Sequence, residues 1–344
     1  MIQLKALHAV VIGGGSGPIS IENILLDYIP HADAITNGFD YGGHTRRIRD
    51  ALGIAATGDA SRRIAVRIRN NREVQEILLY RHPESGDREG TSFLATCHRV
   101  AGSFSGGIML AEEAFKAWYV SGRVIPVCDD DNIHLRLHLA DGRSFAGEGE
   151  LDDFLITSEN TLISGLSYTK RTKEGFSSTN LVPHAYQPAL DAILGAGLRI
   201  ITPGTWWGSI LATTEVPGVY EALKGSKSPI VVVTNAVDVA GRDAAYYLRY
   251  IAEKIGRPVD LALINDPDFT LPDSYQKEHH YFVPPNLNEA KKYAEEIVIK
   301  PFAKVFSFEG KPTIRHDGEL VVREIVKYLH RQRIVSEKGI EQFV

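Results

Sequence analysis

The sequence predicts an α/β protein, a mostly parallel sheet covered on both faces by helices with a small β-hairpin insertion. Three observations carry that expectation. At LHAVVIGGGSG (7–17) an apolar run stops at glycines and is followed by Pro18 and an apolar-periodic segment: strand, glycine turn, helix. From residue 184 onward, strand-like and helix-like segments alternate in lengths suited to βα units. Between these regions, residues 123–150 switch to apolar/polar alternation around an Asp141-Gly142 turn, the pattern of a hairpin or meander.

In the first unit, Val10, Val11 and Ile12 lead into Gly13, Gly14, Gly15, Ser16 and Gly17. Glycine permits the sharp bend, and Pro18 suits a first helical turn, where its missing N–H costs nothing. Free N–H groups and the helix dipole then face an anion, most often phosphate. The turn is neither a Walker loop, since no lysine follows Gly17, nor G-x-G-x-x-G, since Pro18 stands where the third glycine belongs. A tight turn without ligand and a phosphate-binding turn are the two readings it leaves.

Residues 34–53 read as a short strand, a polar glycine turn and a helix with Ile48 and Leu52 on one face and Arg46, Arg47, Arg49 and Asp50 on the rest. Residues 56–68 repeat the idea, with Asp59 as the expected N-cap of a helix. A helix over 72–80, a loop over 82–92 and a helix over 108–120 opened by Ser103–Gly107 follow. In the second half, AYQPALDAILGAG, VPGVYEALKGS and DAAYYLRYIAEKIG read as helices, and LRIITPG, SPIVVVTNAVD and PVDLALIND as strands. The expected organisation is one α/β domain over 1–344, with the β excursion at about 123–150 and C-terminal helices at about 286–334.

The 344 residues carry a net charge of −5, which gives no reason to expect nucleic acid as partner. Two cysteines, Cys97 and Cys128, make a disulfide scaffold untenable and suit a reducing cytoplasm. No apolar run approaches membrane-spanning length, so a cytoplasmic protein without membrane attachment is expected. A homo-oligomer is compatible with all of this.

Three polar clusters fall at predicted strand ends: Gly13–Gly17, Asn37–Gly43 with Asp59, and Thr202–Ser209 with Asn235. Carboxyl ends of parallel strands share one edge, so the clusters are expected to converge on a nucleotide-type site. Asp40 and Asp59 offer oxygen ligands for Mg²⁺, phosphates completing the shell; as alternatives, Asp40 is a turn residue and Asp59 a helix cap. Gly42, Gly43 and Arg47 are the phosphate-side candidates of the second cluster, with solvated helix-face charge as the other reading of the arginines. Gly204, Thr205, Ser209 and Asn235 form a polar elbow for phosphate or sugar hydroxyls, and Trp206 and Trp207 either stack on a ring or pack in the core. His134 and His138 share a strand face as packed or surface histidines; Asp317, after His316, caps the last helix. No G-x-S-x-G elbow supports a nucleophilic serine.

Taken together, GGGSG, DYGGHTRRIRDALGI…TGD, HLADGRSFAGEGEL, TPGTWWGSILATTEVPGVYEAL, VVVTNAVDVAGRD and the terminal RHD occur in an order that resembles the superfamily of CofD-type 2-phospho-L-lactate transferases and YvcK-type gluconeogenesis factors. That resemblance spans most of 8–330. It implies a Rossmann-like, doubly wound core binding a nucleotide diphosphate at the glycine loop. Transferase members move a phospho-three-carbon-acid group from a guanosine conjugate to a deazaflavin alcohol, with Mg²⁺ on aspartates that match Asp40 and Asp59. YvcK-type members bind UDP-sugars and regulate carbon metabolism. Here Tyr41 replaces the second aspartate of the family's DDGG, and Trp206-Trp207 replaces its Leu-Tyr. The resulting expectation is a nucleotide-diphosphate-conjugate binder, a nucleotide-sugar-binding regulator or a transferase whose deazaflavin acceptor lies near Trp206 and Trp207. A NAD(P)-dependent oxidoreductase, with Asp40 on the ribose, is the third reading.

Overall fold

A computed structural model describes residues 3–147, 163–239, 241–308 and 311–335. In chain order its strands are β1 (Ala9–Ile12), β2 (Ala32–Thr36), β3 (Val124–Pro126), β4 (Ile133–Leu139), β5 (Ser144–Ala146), β6 (Ile163–Thr172), β7 (Gly175–Phe176), β8 (Leu198–Ile201), β9 (Ile230–Val233), β10 (Val237–Asp238), β11 (Val259–Asn265), β12 (Tyr281–Phe282), β13 (Ala294–Lys300), β14 (Ala303–Phe308) and β15 (Lys311–His316). Seven of them form the central sheet in the order β13-β11-β9-β8-β1-β2-β3. Every pairing in it is parallel. The chain lays β2 and β3 to one side of β1, then returns to place β8 on its other side and continues outward. The order therefore reverses between β1 and β8, where a doubly wound sheet leaves a crevice beyond its strand ends.

Alternation along the strands feeds two cores. Val10 and Ile12 join Ile201, Val232 and Ile264 on one face, packed by the helices Gln187–Gly195, Val219–Gly225 and Ala244–Ile255. Val11, Ile200, Val231 and Leu263 face the other way, against α1 (Gly17–Tyr28) and the helix Gly318–Arg331. A third cluster packs α3 (Gly58–Arg67), α5 (Glu89–Ala101) and α6 (Phe104–Ala114) onto Ala34 and Val124. The remaining helices of this region are α2 (Gly43–Leu52) and α4 (Arg72–Leu79).

Several expectations are corrected. The segment 123–150 splits: β3 joins the central sheet beside β2, and the antiparallel layer begins at β4 and continues through β7 in the order β5-β4-β6-β7. Residues 148–150 of the expected hairpin lie outside the described residues. The helix expected over 108–120 occupies Phe104–Ala114, because the Ser103 hydroxyl accepts the Gly106 N–H at 3.1 Å and caps it four residues earlier. The loop expected over 82–92 ends at Arg88, where α5 begins. The expected helix over 286–300 forms only at Leu287–Ala290 and gives way to β13, whose β-branched Ile297-Val298-Ile299 run completes the sheet edge on β11.

Beneath the carboxyl end of β1 lies a closed ionic cluster. Glu22 of α1 and Arg63 and Arg67 of α3 are each 0% exposed. Arg63 donates to the carbonyls of Val11 (2.8 Å), Gly13 (2.7 Å) and Ile35 (2.6 Å) and pairs with Glu22. Arg67 bonds the other Glu22 oxygen at 3.0 Å and the Ala32 carbonyl at 2.8 Å. Burial alone raises the Glu22 pKa, but the two guanidiniums overrule it and hold the carboxyl below its usual range. Glu22→Gln strands two buried cations and is expected to cost about 3–5 kcal/mol. Urea unfolding at pH 7 measures it, and a loss under about 1 kcal/mol would contradict this account of the cluster.

Candidate functional site

The loop after β1 and the loop after β8 meet over the switch point. Thr202 donates its hydroxyl to the Ile12 carbonyl at 3.0 Å, and the Asn235 amide brackets Gly204, accepting its N–H and donating to its carbonyl at 2.9 Å each. Asn37, just past β2, donates to the Thr213 hydroxyl at 3.0 Å and the Ser209 carbonyl at 3.4 Å. The three polar clusters thus converge at one edge of the sheet.

Gly15 adopts φ 74°, a left-handed conformation that turns the chain into α1. A Cβ on Gly17 would fall inside the Pro203 carbonyl, so only glycine lets the start of α1 lie against the Pro203-Gly204 elbow. No side chain caps α1 at Ser16, and its first turn holds no acidic residue. Its N–H groups therefore open onto a cleft of about 320 Å³ whose walls include Ser16, Gly17, Ser20, Gly204, Thr205 and Asn235. Gly13, Gly14 and Ser209 stand behind this wall; a Cβ on Gly15 would sit 3.4 Å from the Ser209 hydroxyl. After Thr205 the chain makes one wide turn, with the Ile210 N–H reaching the Thr205 carbonyl at 3.1 Å, which buries Trp206 and Trp207. Trp206 packs edge-on against Tyr246, Tyr247 and Tyr250, so its ring belongs to the core side of the cleft wall.

Asp59 is not the cap of its helix. Thr57 holds that position, and Asp59 reaches across to accept the Gly15 N–H at 2.5 Å while pairing with Arg62. Asp40 accepts the Gly42 N–H at 3.1 Å, with its other oxygen toward Gly58 next to Asp59. Gly43 opens α2 at φ 46°. Arg47 turns outward to Asp87 and the Ser85 carbonyl, away from the cleft. Arg49, expected among the solvated arginines, is 3% exposed, whereas Leu52 is 38% exposed. Its guanidinium is enclosed because it satisfies the carbonyls of Phe39 (2.9 Å), Asp40 (2.8 Å) and Ile54 (3.2 Å), which fixes the Asp40 loop. Tyr41 faces away from the glycine loop: its hydroxyl donates to Asp50 at 2.6 Å, and its ring meets His134 and Phe176. Among the described residues no three His, Cys, Asp or Glu side chains gather as a metal centre.

The cleft also recruits residues that the sequence reading did not assign to it: Tyr275, His280, Asp238, Arg242, Arg315 and His316. Burial lowers the Arg315 pKa, and the like charge of Arg62 lowers it further. Arg242 bonds both Asp238 oxygens at 3.2 and 3.3 Å and lies 5.7 Å from the Trp207 ring centre. The RHD triplet was the available signal for Arg315 and His316; its Asp317 caps the last helix as expected, accepting the Leu320 N–H at 3.2 Å. His138, on the same strand face as His134, bonds the Ser167 hydroxyl at 2.8 Å.

The family model described as 2-phospho-L-lactate transferase CofD matches residues 9–303. The chain belongs to the CofD family. A protein of Halalkalibacterium halodurans named gluconeogenesis factor is 26% identical over 339 residues, covering 94% of this chain and 97% of the relative. Two crystal structures of a Bacillus halodurans protein, one titled a member of the UPF0052 family, share the fold at TM-score 0.76, with 24% and 23% identity. They cover 93% and 95% of this chain and 99% of theirs. Among the described residues no helix of this CofD-family protein is long and apolar enough to cross a membrane.

Two measurements test the site. Gly17→Ala pushes α1 off the elbow and is expected to destabilise by about 2 kcal/mol or more; a variant as stable as the parent in urea would refute the close approach. Burial drives the His134 pKa down to about 3 and the His316 pKa down to about 4, so both imidazoles are neutral in the fold. Below the unfolded value near 6.5 they take up protons only on unfolding. Stability should therefore fall between pH 6.5 and 4, by up to about 1.4 kcal/mol per pH unit for each histidine. His134→Phe is expected to reduce that slope in urea titrations at pH 7, 6 and 5, and an unchanged slope would contradict the assignment.

Proposed function

We propose that the cleft binds a nucleotide diphosphate conjugate and that the protein acts as a ligand-held regulator of carbon metabolism. The observation that carries this reading is the start of α1, which no side chain caps, on the wall of a switch-point cleft that Arg315 also lines. Helix-start N–H groups and a guanidinium suit the charge of a diphosphate. The remaining length of the cleft, walled by Leu135, Leu137 and Trp207, suits the uncharged parts of the ligand.

The all-oxygen donors Asp40 and Asp59 fit Mg²⁺ as two carboxylates beside the glycine loop, with phosphate oxygens making up the rest of its shell. Bound there, the ion would neutralise diphosphate charge. Asp59 already serves the Gly15 N–H and Arg62, so the ion would take the place of Arg62 on its carboxylate. The name of the Halalkalibacterium relative favours the regulator over the transferase.

Thermal unfolding with GDP, UDP-N-acetylglucosamine, NAD or a deazaflavin, each with and without Mg²⁺, tests the reading. A diphosphate ligand at a hundred times its Kd should raise the melting temperature by about 4 °C. The Mg²⁺-dependent part of the shift should vanish in Asp59→Asn. Turnover of a guanosine conjugate onto the deazaflavin would replace the regulator by the transferase, a shift with NAD alone would favour an oxidoreductase, and no shift with any nucleotide would overturn the proposal.

A further inference from the structure

Buried polar atoms without a hydrogen-bond partner are not spread evenly over the described residues. Eleven side-chain atoms fall in that class, and four of them belong to the walls of the one cleft: Trp206 Nε1, Trp207 Nε1, His280 Nδ1 and His316 Nε2. Each is a nitrogen that the fold has removed from water without replacing what water supplied, and such groups are expected where a ligand completes them. His316 is the best placed of the four. It ends β15 and is 7% exposed, against the Thr234 backbone. The next turn is pressed onto α1, since a Cβ on Gly318 would fall inside the Ser20 carbonyl. His316 therefore lies on the cleft wall two residues before the contact with the first turn of α1.

We propose that His316 is a ligand-binding residue of this cleft, giving its Nε2 to a hydroxyl of the bound molecule. The assignment rests on the nucleotide-conjugate reading and names one contact within it. A neutral imidazole carries one N–H and one lone pair, and its tautomer decides which of them Nε2 presents. A hydroxyl both donates and accepts, so it satisfies either tautomer, whereas a phosphate oxygen satisfies only Nε2–H. Phosphate is also the natural share of the Arg315 guanidinium on the cleft wall, and Arg242 is already bound to Asp238. The other titratable groups of the cleft wall are Arg315 on the same strand, Asp238, Arg242, Tyr275 and His280, and Asp317, next in the chain, has its carboxylate paired with Lys304. None of these supplies Nε2 with a partner. Burial keeps the ring neutral through the physiological range.

Calorimetric titration of the full chain with GDP and with UDP-N-acetylglucosamine tests the contact on wild type, His316→Phe and His316→Asn. For whichever probe binds the parent, His316→Phe should weaken Kd by about fivefold to tenfold, while His316→Asn, which keeps a donor and an acceptor, retains most of the affinity. The wild-type Kd should stay flat between pH 8 and 6, and the His316 Nε2 resonance in ¹⁵N-histidine spectra should move when the probe is added. Binding to the parent with His316→Phe within twofold, or an unmoved resonance, overturns the contact and leaves the nucleotide reading intact. Affinity that rises as the pH falls through 6.5 in the parent but not in His316→Asn means an imidazolium on phosphate and overturns the hydroxyl assignment. A parent that binds neither probe removes the nucleotide reading and this contact together. If His316→Phe fails to fold, the wild-type resonance and His316→Asn decide.

Discussion

The grip of Arg63 on three backbone carbonyls is the contact on which the rest of the site depends. A guanidinium has five N–H donors in a rigid plane, and here they are distributed among Val11, Gly13, Ile35 and the Glu22 carboxylate. These groups come from β1, the glycine loop, β2 and α1, while Arg63 itself comes from α3. Enclosing a cation is costly, and the fold offsets that cost by matching it with Glu22 and sharing the anion with Arg67. The chain leaves the sheet at Gly13 in one direction because its last carbonyl is held from below.

Everything facing the cleft inherits that fixed exit. With β1 anchored, Gly15 turns where Asp59 can accept its N–H, and Gly17 arrives against Pro203. Arg49 does for the second loop what Arg63 does for the first, gathering the carbonyls of Phe39 and of Asp40 itself. Thr202 ties the end of β1, and Asn37 the second loop, to the segment after β8, which Asn235 braces from beyond β9. On this side of the cleft the wall is made of backbone and short polar side chains, held from behind by Arg49 and Arg63.

This division explains what the sequence could disclose. The glycine turn, the parallel βα rhythm and the meeting of three strand-end clusters were legible because each follows from backbone geometry and local apolar period. Arg49 and Arg63 were not, since a buried arginine and a solvated one look alike until the carbonyls that receive them are known. Asp59 read as a cap because it opens a helix, and only the tertiary approach of Gly15 gave its carboxylate a different donor. The run Ile297-Val298-Ile299 fits an apolar helix face as well as a strand, and pairing with β11 decided it. The cleft's outer wall, from Asp238, Tyr275, His280 and Arg315, is assembled from loops and a hairpin far apart in the chain, with no shared period to mark them.

The order of the sheet has a consequence for how the molecule is made. β1 is made long before β8, its neighbour on the switch-point side, and Thr202 meets the Ile12 carbonyl from 190 residues away. A nascent chain released from the ribosome as far as α6 can pair β1 with β2, yet the opposite edge of β1 still lacks its ladder. An unpaired strand edge is a template for wrong partners. β1, buried and paired on both sides in the finished protein, is thus open along one edge during its synthesis.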